Sequence, residues 1–299
     1  MKRAIGVQTR VWGYVFLLPW IIYMALFLIY PFATAIGNSF MSYDTLDKFR
    51  IRFTGLGNWA KVVMDPVFWQ SIGNIVYNQA IFIVLTLIIS LASAMMLSTS
   101  RKLDSVFRTV YFMPVITSLT VGMMVYNYFI VGPDGPIQKL LLSWGWIDKP
   151  FIWTVSKTLP MPLIALFSSW KWFGIQMVIF IGGIASIDAS VFEAAAIDGA
   201  SAFARVTRIT LPLLRDQLVF VLTMNVINGM QMFTESYMNF ETAGGVGNAA
   251  LTPVLYLYRI AFKDLDMGYA STIGIFLAVI IFIATHIQMK FTEGRQINA

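Results

Sequence analysis

The stretch EAAAIDGASAFARVTRITLP, residues 193–212, lies between two long apolar runs and belongs to neither. Its charged residues are too costly for the hydrocarbon interior of a bilayer, whereas its alanines make it too apolar for an ordinary solvated loop. At helical spacing the alanines and Phe203 gather near one face, and Gly199 follows Asp198 near the middle. Glycine accepts the backbone angles of a tight turn, so the pattern predicts two short helices that meet at Gly199.

Two interpretations of this segment are open: an amphipathic helix that lies on lipid, or an element that docks onto another protein. Interfacial helices use a wide apolar face and a lysine-rich polar face. Here the apolar face is mostly alanine, which anchors weakly in lipid but allows close packing against a protein. The residues alone favour protein docking.

The composition around this segment is that of a membrane protein. The 299 residues are 58% hydrophobic, 15% aromatic and 12% charged, with a mean hydropathy of +0.72, whereas a soluble domain carries about 25% charged residues. The net charge is +6, but the basic residues are scattered singly between apolar runs, which argues against nucleic-acid binding. Cysteine is absent and histidine occurs once, so neither a disulfide framework nor a Cys/His metal cluster is predicted.

Six apolar segments are long enough to cross a bilayer, which needs about 20 residues. Because lipid cannot satisfy open strand edges, these segments are predicted to be helices of an all-α integral membrane protein, with residues 1–299 forming one domain. The first apolar run is longer than the core of a signal peptide, so we expect it to be retained. The predicted spans cover residues 11–35, 72–97, 106–130, 159–184, 213–237 and 270–289.

Lysine and arginine predict the orientation of the spans. With the N-terminus inside, the inner segments carry the higher density of basic residues, so both termini are predicted to be cytoplasmic. These inner residues are Lys2, Arg3, Arg10, Arg101, Lys102, Arg108, Arg205, Arg208, Arg215, Lys290 and Arg295. The predicted cytoplasmic loop is then 186–212, and the predicted extracytoplasmic loops are 36–70, 131–158 and 238–269.

Polar residues within predicted spans mark either contacts between helices or a water-filled path. The fifth span carries residues at three-and-four spacing that share one side of a helix and favour a path, namely Asn225, Asn228, Gly229, Met232, Glu235 and Ser236. The fourth span carries Lys171 between two tryptophans, at a depth where a lysine snorkels outward or finds a polar partner. We hypothesise that Lys171 and Trp172 line the same path.

Residues 193–212 resemble the EAA motif of permease subunits of bacterial ABC importers, in which EAA is followed three residues later by glycine and then by I-x-LP. The matching residues are Glu193, Ala194, Ala195, Asp198, Gly199, Ala200, Ile209, Leu211 and Pro212. Three other stretches are similar to the carbohydrate-uptake branch, the maltose and glycerol-phosphate type: WKWFGIQMVIFIGGIASID (170–188), GGVGN (244–248) and YLYRIAFKDLDMGYAS (256–271). The resemblance is weakest over 40–53 and 144–157, and Val206 stands where many relatives have an aromatic residue.

The resemblance implies a type I ABC importer permease fold in the bacterial inner membrane, with the motif forming a coupling helix that enters a cleft on the ATPase. By resemblance Glu193 pairs with an arginine of the ATPase, Gly199 makes the close-approach turn and Phe203 is an apolar plug. The implied coupling residues are Glu193, Ala194, Ala195, Asp198, Gly199, Ala200 and Phe203.

The resemblance also implies the partners: two ATPase subunits, a second permease, an extracytoplasmic solute-binding protein, membrane lipid and a sugar substrate. The second permease is expected to be a distinct homologue, and the sequence leaves an identical copy open. The sequence has no G-x-x-x-x-G-K-[ST], so this chain is expected to be non-catalytic and to bind no cofactor or metal, with ATP and Mg²⁺ on the ATPases. The expected mechanism is alternating access driven by those subunits.

In the resembling family the fourth and fifth spans supply sugar contacts, which makes Lys171, Trp172, Asn225, Asn228, Gly229, Met232 and Glu235 the predicted substrate path. The charge of the sugar is left open between neutral and acidic, because Lys171 in the path would favour anionic saccharides over neutral ones. The alternative is an ion-coupled secondary transporter that uses Glu235 and Lys171; it requires repeated halves with broken helices, and no clear internal repeat is present. A membrane enzyme would need a nucleophile, metal or acid–base pair, and none is convincing. His286 is expected to pack or to face the membrane surface.

Overall fold

The computed structural model describes residues 2–42, 51–99 and 104–293, and these residues are predominantly helical. The α-helices in chain order are α1 (Lys2–Met24), α2 (Tyr30–Ser39), α3 (Gly57–Met64), α4 (Pro66–Thr99), α5 (Asp104–Ile116), α6 (Leu119–Tyr126), α7 (Pro136–Ser143), α8 (Pro160–Ala185), α9 (Ala189–Ile197), α10 (Ala202–Arg205), α11 (Leu211–Leu213), α12 (Arg215–Gly229), α13 (Thr234–Phe240), α14 (Pro253–Phe262) and α15 (Met267–Glu293).

Short elements join these helices. The π-helical segments are Ala25–Ile29, Asn127–Val131 and Val206–Thr210, and the 3-10 turns are Trp153–Val155, Glu241–Ala243 and Val246–Asn248. Strands β1 (Met41–Ser42) and β2 (Arg52–Phe53) pair antiparallel, with Met41 opposite Phe53. Part of the predicted loop 36–70, residues 43–50, lies outside the described residues, as do Arg101, Lys102 and Arg295 of the predicted inner basic set.

Among the described residues, four helical segments are long and apolar enough to cross a membrane: Tyr14–Ser39, Pro66–Ser98, Pro160–Ala185 and Met267–Thr292. Two further apolar pairs are bent, Thr109–Ile116 with Leu119–Ser143 by 104° and Ala202–Leu213 with Arg215–Ala243 by 72°. The described chain therefore has four to six candidate spans. Large apolar side chains on the outside of these helices, such as Phe16 (79% exposed) and Phe282 (73%), form the kind of surface that lipid covers.

The structure places a break in the helix within each of two predicted spans, the third (residues 106–130) and the fifth (residues 213–237). In the third, α5 ends at Ile116 and α6 begins at Leu119, shortly after Pro114, which lacks an N–H for the helical ladder. In the fifth, α12 ends at Gly229 and α13 begins only at Thr234. The breaks are stabilised by contacts from distant parts of the chain, which local periodicity does not record.

The described chain falls into two compact units, the first made of Met1–Asp65 with Leu257–Ala278 and the second of Pro66–Tyr256 with Val279–Ala299. In the first unit, the Asn58 side chain donates to the carbonyls of Ser39 (3.1 Å) and Met41 (3.0 Å). These bonds join the end of α2 to α3 and satisfy buried carbonyls.

The second unit is built on α4 and α8, which pack along each other. Its buried apolar cluster comprises Ala94, Leu97, Met177, Phe180, Ile181, Leu214 and Val221, from α4, α8, α12 and the residue before α12. Helix α5 approaches α8 closely at Gly174, where an added Cβ would lie 2.3 Å from the carbonyl oxygen of Tyr111. Glycine is required at this position because any side chain would collide with the α5 backbone.

Candidate functional site

The segment between α8 and α12 contains the helix–turn–helix that the glycine pattern predicts, and we call residues 188–205 the elbow. Helix α9 ends at Ile197 and is followed by Gly199 in the left-handed conformation, φ +71°. The N–H of Gly199 donates to the carbonyl of Ala196 (3.2 Å) and that of Ala200 to the carbonyl of Ala195 (2.9 Å). This pair of bonds is a Schellman motif, which closes the helix and requires a residue that tolerates positive φ.

Both helices of the elbow begin with a side-chain cap. The Asp188 carboxylate accepts from the N–H of Ser190 at 2.9 Å, and the Ser201 hydroxyl accepts from the N–H of Ala204 at 3.2 Å. The hydrogen bond from Ser190 lowers the pKa of Asp188 below its ordinary value. The carboxylate is therefore charged at neutral pH and stabilises the N-terminus of α9.

The elbow exposes most of the predicted coupling residues. Ile197 is 86% exposed and Phe203 is 78% exposed, on the two sides of Gly199, and open space surrounds the position of a Gly199 Cβ. The exposed predicted residues are Glu193, Ala194, Asp198, Gly199 and Phe203, whereas Ala200 is half-buried and Ala195 is buried. The elbow thus combines an acid with two bare apolar side chains around a turn that another chain can approach.

Replacing Asp188 by alanine is expected to loosen α9. The folded state lowers the pKa of Asp188, so the contribution of the cap is present at neutral pH and is lost as the pH falls below the ordinary range of an aspartate. Hydrogen–deuterium exchange of the α9 amides at neutral pH should quicken roughly fivefold in the Asp188→Ala variant. Asp188→Asn, which keeps an oxygen acceptor, is the control, and unchanged exchange in Asp188→Ala would refute the role.

A cavity of about 560 Å³ lies in the second unit, between α4, α8, α12 and the segment that leads into α13. Its volume is in the range of small-molecule sites. Six of the seven predicted path residues line it: Trp172, Asn225, Asn228, Gly229, Met232 and Glu235. Its other walls are largely apolar, with Phe82, Phe220 and Phe233 among them.

The break after α12 forms part of the wall of this cavity. Because of this break, the residues from Asn225 to Ser236 lie on two helices and not, as predicted, on one face of a single helix. The hydroxyl of Thr252 donates to the carbonyl of Met232 at 2.8 Å, satisfying backbone freed by the break. Ser236 turns away, and its hydroxyl donates to the carbonyl of Ala250 at 2.7 Å. Glu235 still reaches the cavity, from α13.

The cavity wall contains four buried polar atoms that have no hydrogen-bond partner among the described residues. They are Gln79 Oε1, Ser168 Oγ, Gln176 Oε1 and Asn225 Nδ2, on side chains of which at most 8% is exposed. Buried polar atoms are normally paired, because an unpaired one costs about 1–3 kcal/mol. These atoms expose almost no surface, so a hydrogen-bonding ligand or water in the cavity would supply the missing partners once the side chains turn toward it.

Gln79, Ser168 and Gln176 were not among the predicted path residues. Each is a polar residue inside a predicted span, which is the signal that singled out the fifth-span stripe. Gly229 lies against one of them, because a Cβ at Gly229 would be 2.0 Å from Gln79 Oε1. The glycine therefore makes room for the amide in the cavity wall.

Lys171 does not line this cavity, in contrast to the hypothesis that it shares the path with Trp172. Its ammonium donates to the carbonyls of Pro114 (2.5 Å), Val115 (3.0 Å) and Thr117, at the break between α5 and α6. The ammonium also lies 5.5 Å from the centroid of the Trp172 ring. A lysine has three donors, and all three are used on the free carbonyls at the end of α5.

The structure separates Lys171 from the other predicted path residues by helical rotation. Lys171 and Gly174 are three residues apart and face α5, whereas Trp172 and Gln176 are four apart and face the cavity. His286, in α15, stacks on Phe282 with ring centroids 6.3 Å apart. The described residues contain no group of three or more metal-ligating side chains.

Comparison with known proteins gives a family, relatives and a solved structure. Residues 86–293 match the family described as binding-protein-dependent transport system inner membrane component. The arabinooligosaccharides transport system permease protein AraP of Halalkalibacterium halodurans is 31% identical, over 95% of this chain and 89% of the relative. The lactose transport system permease protein LacF of Rhizobium radiobacter is 28% identical, over 95% of both chains.

The fold is similar to that of a chain in the crystal structure of a bacterial alginate ABC transporter in complex with an alginate pentasaccharide-bound periplasmic protein. The TM-score is 0.79 at 18% identity, and the similarity covers 96% of each chain. At this identity the likeness is one of fold.

Proposed function

Because the chain belongs to the family of binding-protein-dependent transport system inner membrane components, we propose that its 560 Å³ cavity is part of the path along which a sugar or oligosaccharide crosses the membrane. Membership confirms the resemblance found in residues 193–212 and places the chain in the inner membrane as a permease subunit. The family is non-catalytic and is driven by ATP hydrolysis on separate subunits, which favours this function over the ion-coupled alternative.

The proposed topology has six spans, both termini in the cytoplasm and the type I importer fold. It takes the third and fifth spans, residues 106–130 and 213–237, from within the two bent pairs. The loop 186–212, which contains the elbow, is then cytoplasmic, and the loops 36–70, 131–158 and 238–269 are extracytoplasmic. The density of basic residues at the inner ends supports this orientation.

The elbow is proposed to be the coupling element that docks into a partner ATPase. Glu193 would pair with an arginine of that subunit, Phe203 would fill an apolar recess, and Gly199 would let the two backbones approach. The exposure of Ile197 and Phe203 supports this role, because large apolar side chains at a turn are normally covered by a partner. ATP and Mg²⁺ would be held by two such ATPases, and none by this chain.

A second permease, a distinct homologue, is proposed to complete the path. The cavity wall carries unpaired amides and a buried carboxylic side chain, which lipid could not satisfy. A solute-binding protein on the outer side would deliver the sugar. Closure of the ATPases would move the elbows together and switch the pair of bundles from inward-open to outward-open, and hydrolysis would reset it.

The sugar assignment rests on one observation: the same cavity wall contains aromatic rings and polar atoms that have no hydrogen-bond partner. Sugars present hydroxyls at their edges and apolar C–H groups on their ring faces, so amides and an indole are complementary to them. The relatives of this chain named above transport arabinooligosaccharides and lactose, which supports a saccharide substrate.

Trp172→Ala is expected to lower sugar uptake and substrate-stimulated ATP hydrolysis about tenfold, because the indole supplies an apolar face to the sugar. The assay uses the complete importer in proteoliposomes with its binding protein. Trp170→Ala is the matched control: this tryptophan lies two residues away on α8 and is 44% exposed, against 37% for Trp172, but it lines a different cavity. Equal activity in the two variants would contradict the proposed path.

A further inference from the structure

Glu235 is the ionisable residue of the cavity. It is 8% exposed, and every other lining residue in the described chain has an uncharged side chain. Its carboxyl group can accept hydrogen bonds from two neighbouring hydroxyls or from an ammonium group. A ligand carboxylate would find no cation in this lining, and an ionised Glu235 would add like charge, which is costly where water is scarce.

The nearest cation does not compensate for Glu235. The Lys171 ammonium donates three hydrogen bonds, to the carbonyls of Pro114, Val115 and Thr117. It faces α5, outside the lining of the cavity. No lysine or arginine among the described residues lines the cavity, so this wall contains no charged partner for an anionic saccharide.

The unpaired amides are richer in acceptors than in donors. Asn78 donates to the carbonyl of Met161 (2.9 Å) and accepts from Gln79 Nε2 (3.3 Å). These bonds set the orientation of the Gln79 amide and leave its Oε1 without a donor. The Gln176–Asn225 bond (2.8 Å) leaves one amide oxygen and one NH₂ group without a partner, whichever way the two amides are oriented. Together with Glu235, the wall therefore offers more acceptors than donors.

We infer that this wall of the cavity selects an uncharged, hydroxyl-rich saccharide, and that Glu235 is the residue that excludes uronates. The inference rests on the proposed sugar path and specifies the class of sugar. Hydroxyl groups supply the donors that Gln79, Gln176 and Glu235 accept. Carboxylate groups supply only acceptors and a repelling charge.

The test measures the charge preference of the cavity itself. The permease pair with its ATPases is held in nanodiscs without the binding protein, so that the selectivity of the binding protein does not contribute. Binding of two matched pairs, galactotriose with trigalacturonate and mannotriose with trimannuronate, is measured by titration calorimetry. The wild-type complex is expected to bind the neutral member of a pair at least about tenfold more tightly, and Glu235→Gln should reduce that ratio about tenfold.

Three further variants complete the test. Glu235→Asp retains the charge and should retain the preference. Glu241→Gln, an exposed glutamate six residues away, should leave the ratio unchanged. Asn228→Lys places a cation at an exposed lining position and should shift the preference toward uronates even if Glu235→Gln does not assemble. ATP hydrolysis without substrate verifies that each complex is intact.

The outcomes separate this inference from the proposed function. A wild-type preference for uronates would overturn the inference and leave the sugar path in place. The same holds if the ratio of neutral to uronate affinity in both Glu235→Gln and Asn228→Lys stays within twofold of the wild type. A wild-type complex that binds neither member of either pair would overturn both.

Discussion

Replacing Gly199 by valine is expected to lower uptake by about a hundredfold and to remove the ATPase from the purified complex. A β-branched residue is strained at φ +71°, so the Schellman motif that sets the angle between α9 and α10 would be distorted. The added side chain would also fill the open space where the ATPase is proposed to approach. Co-purification of the ATPase and uptake into proteoliposomes are the two measurements.

Gly145 provides a matched control within the chain. It follows α7 at φ +68°, has open space at its Cβ position, and closes its helix with the same pair of bonds, Gly145 to Leu142 and Trp146 to Leu141, each 3.0 Å. Gly145→Val therefore imposes the same strain at a loop that is proposed to be extracytoplasmic. If both variants lost the ATPase equally, the loss would reflect general destabilisation and the coupling role of the elbow would be wrong.

A third variant separates backbone conformation from close approach. Asparagine tolerates the left-handed conformation, so Gly199→Asn keeps the turn while adding a side chain. We expect it to fold like the wild type and still to bind the ATPase weakly, because the added side chain stands where the two backbones meet. Wild-type coupling in Gly199→Asn would limit the role of Gly199 to forming the turn.

Replacing Lys171 by methionine is expected to destabilise the second unit by about 3 kcal/mol. The substitution leaves the carbonyls of Pro114, Val115 and Thr117 without their donor in a buried site, and an unsatisfied buried group costs about 1–3 kcal/mol. It also removes a positive charge from the C-terminal end of α5, where cations are favourable. The thermal midpoint of the purified chain in detergent should fall by roughly 5 °C or more.

Lys139→Met is the control for this prediction, because Lys139 is exposed on α7. It should leave the thermal midpoint unchanged. Lys171→Met should also leave the preference for neutral over uronate trisaccharides unchanged, since the ammonium faces α5. A shift of that preference with no loss of thermal stability would instead place Lys171 in the substrate path.

The sequence predicts the membrane class, the position of most spans and the turn of the elbow, because these depend on local composition. Apolar runs longer than 20 residues identify helices such as α4 and α8, and a glycine between two short amphipathic stretches identifies the turn at Gly199. The same signals locate six residues of the cavity wall.

The breaks in the third and fifth spans depend on contacts that the local sequence does not record. The end of α12 is stabilised by Thr252, twenty residues beyond Met232, and the end of α5 by Lys171, more than fifty residues away. The local sequence also does not show that the adjacent Lys171 and Trp172 face different sides of α8. Consecutive residues on a helix point about 100° apart, so the two side chains reach different neighbours.

The exposure of Ile197 and Phe203 affects how long an unassembled copy of the subunit persists in the cell. In the proposed topology, a copy that has not bound its ATPase exposes two large apolar side chains to the cytosol. Quality-control proteases and chaperones recognise such surfaces. Surplus copies should therefore be cleared, so that the abundance of this chain follows the supply of its motor protein.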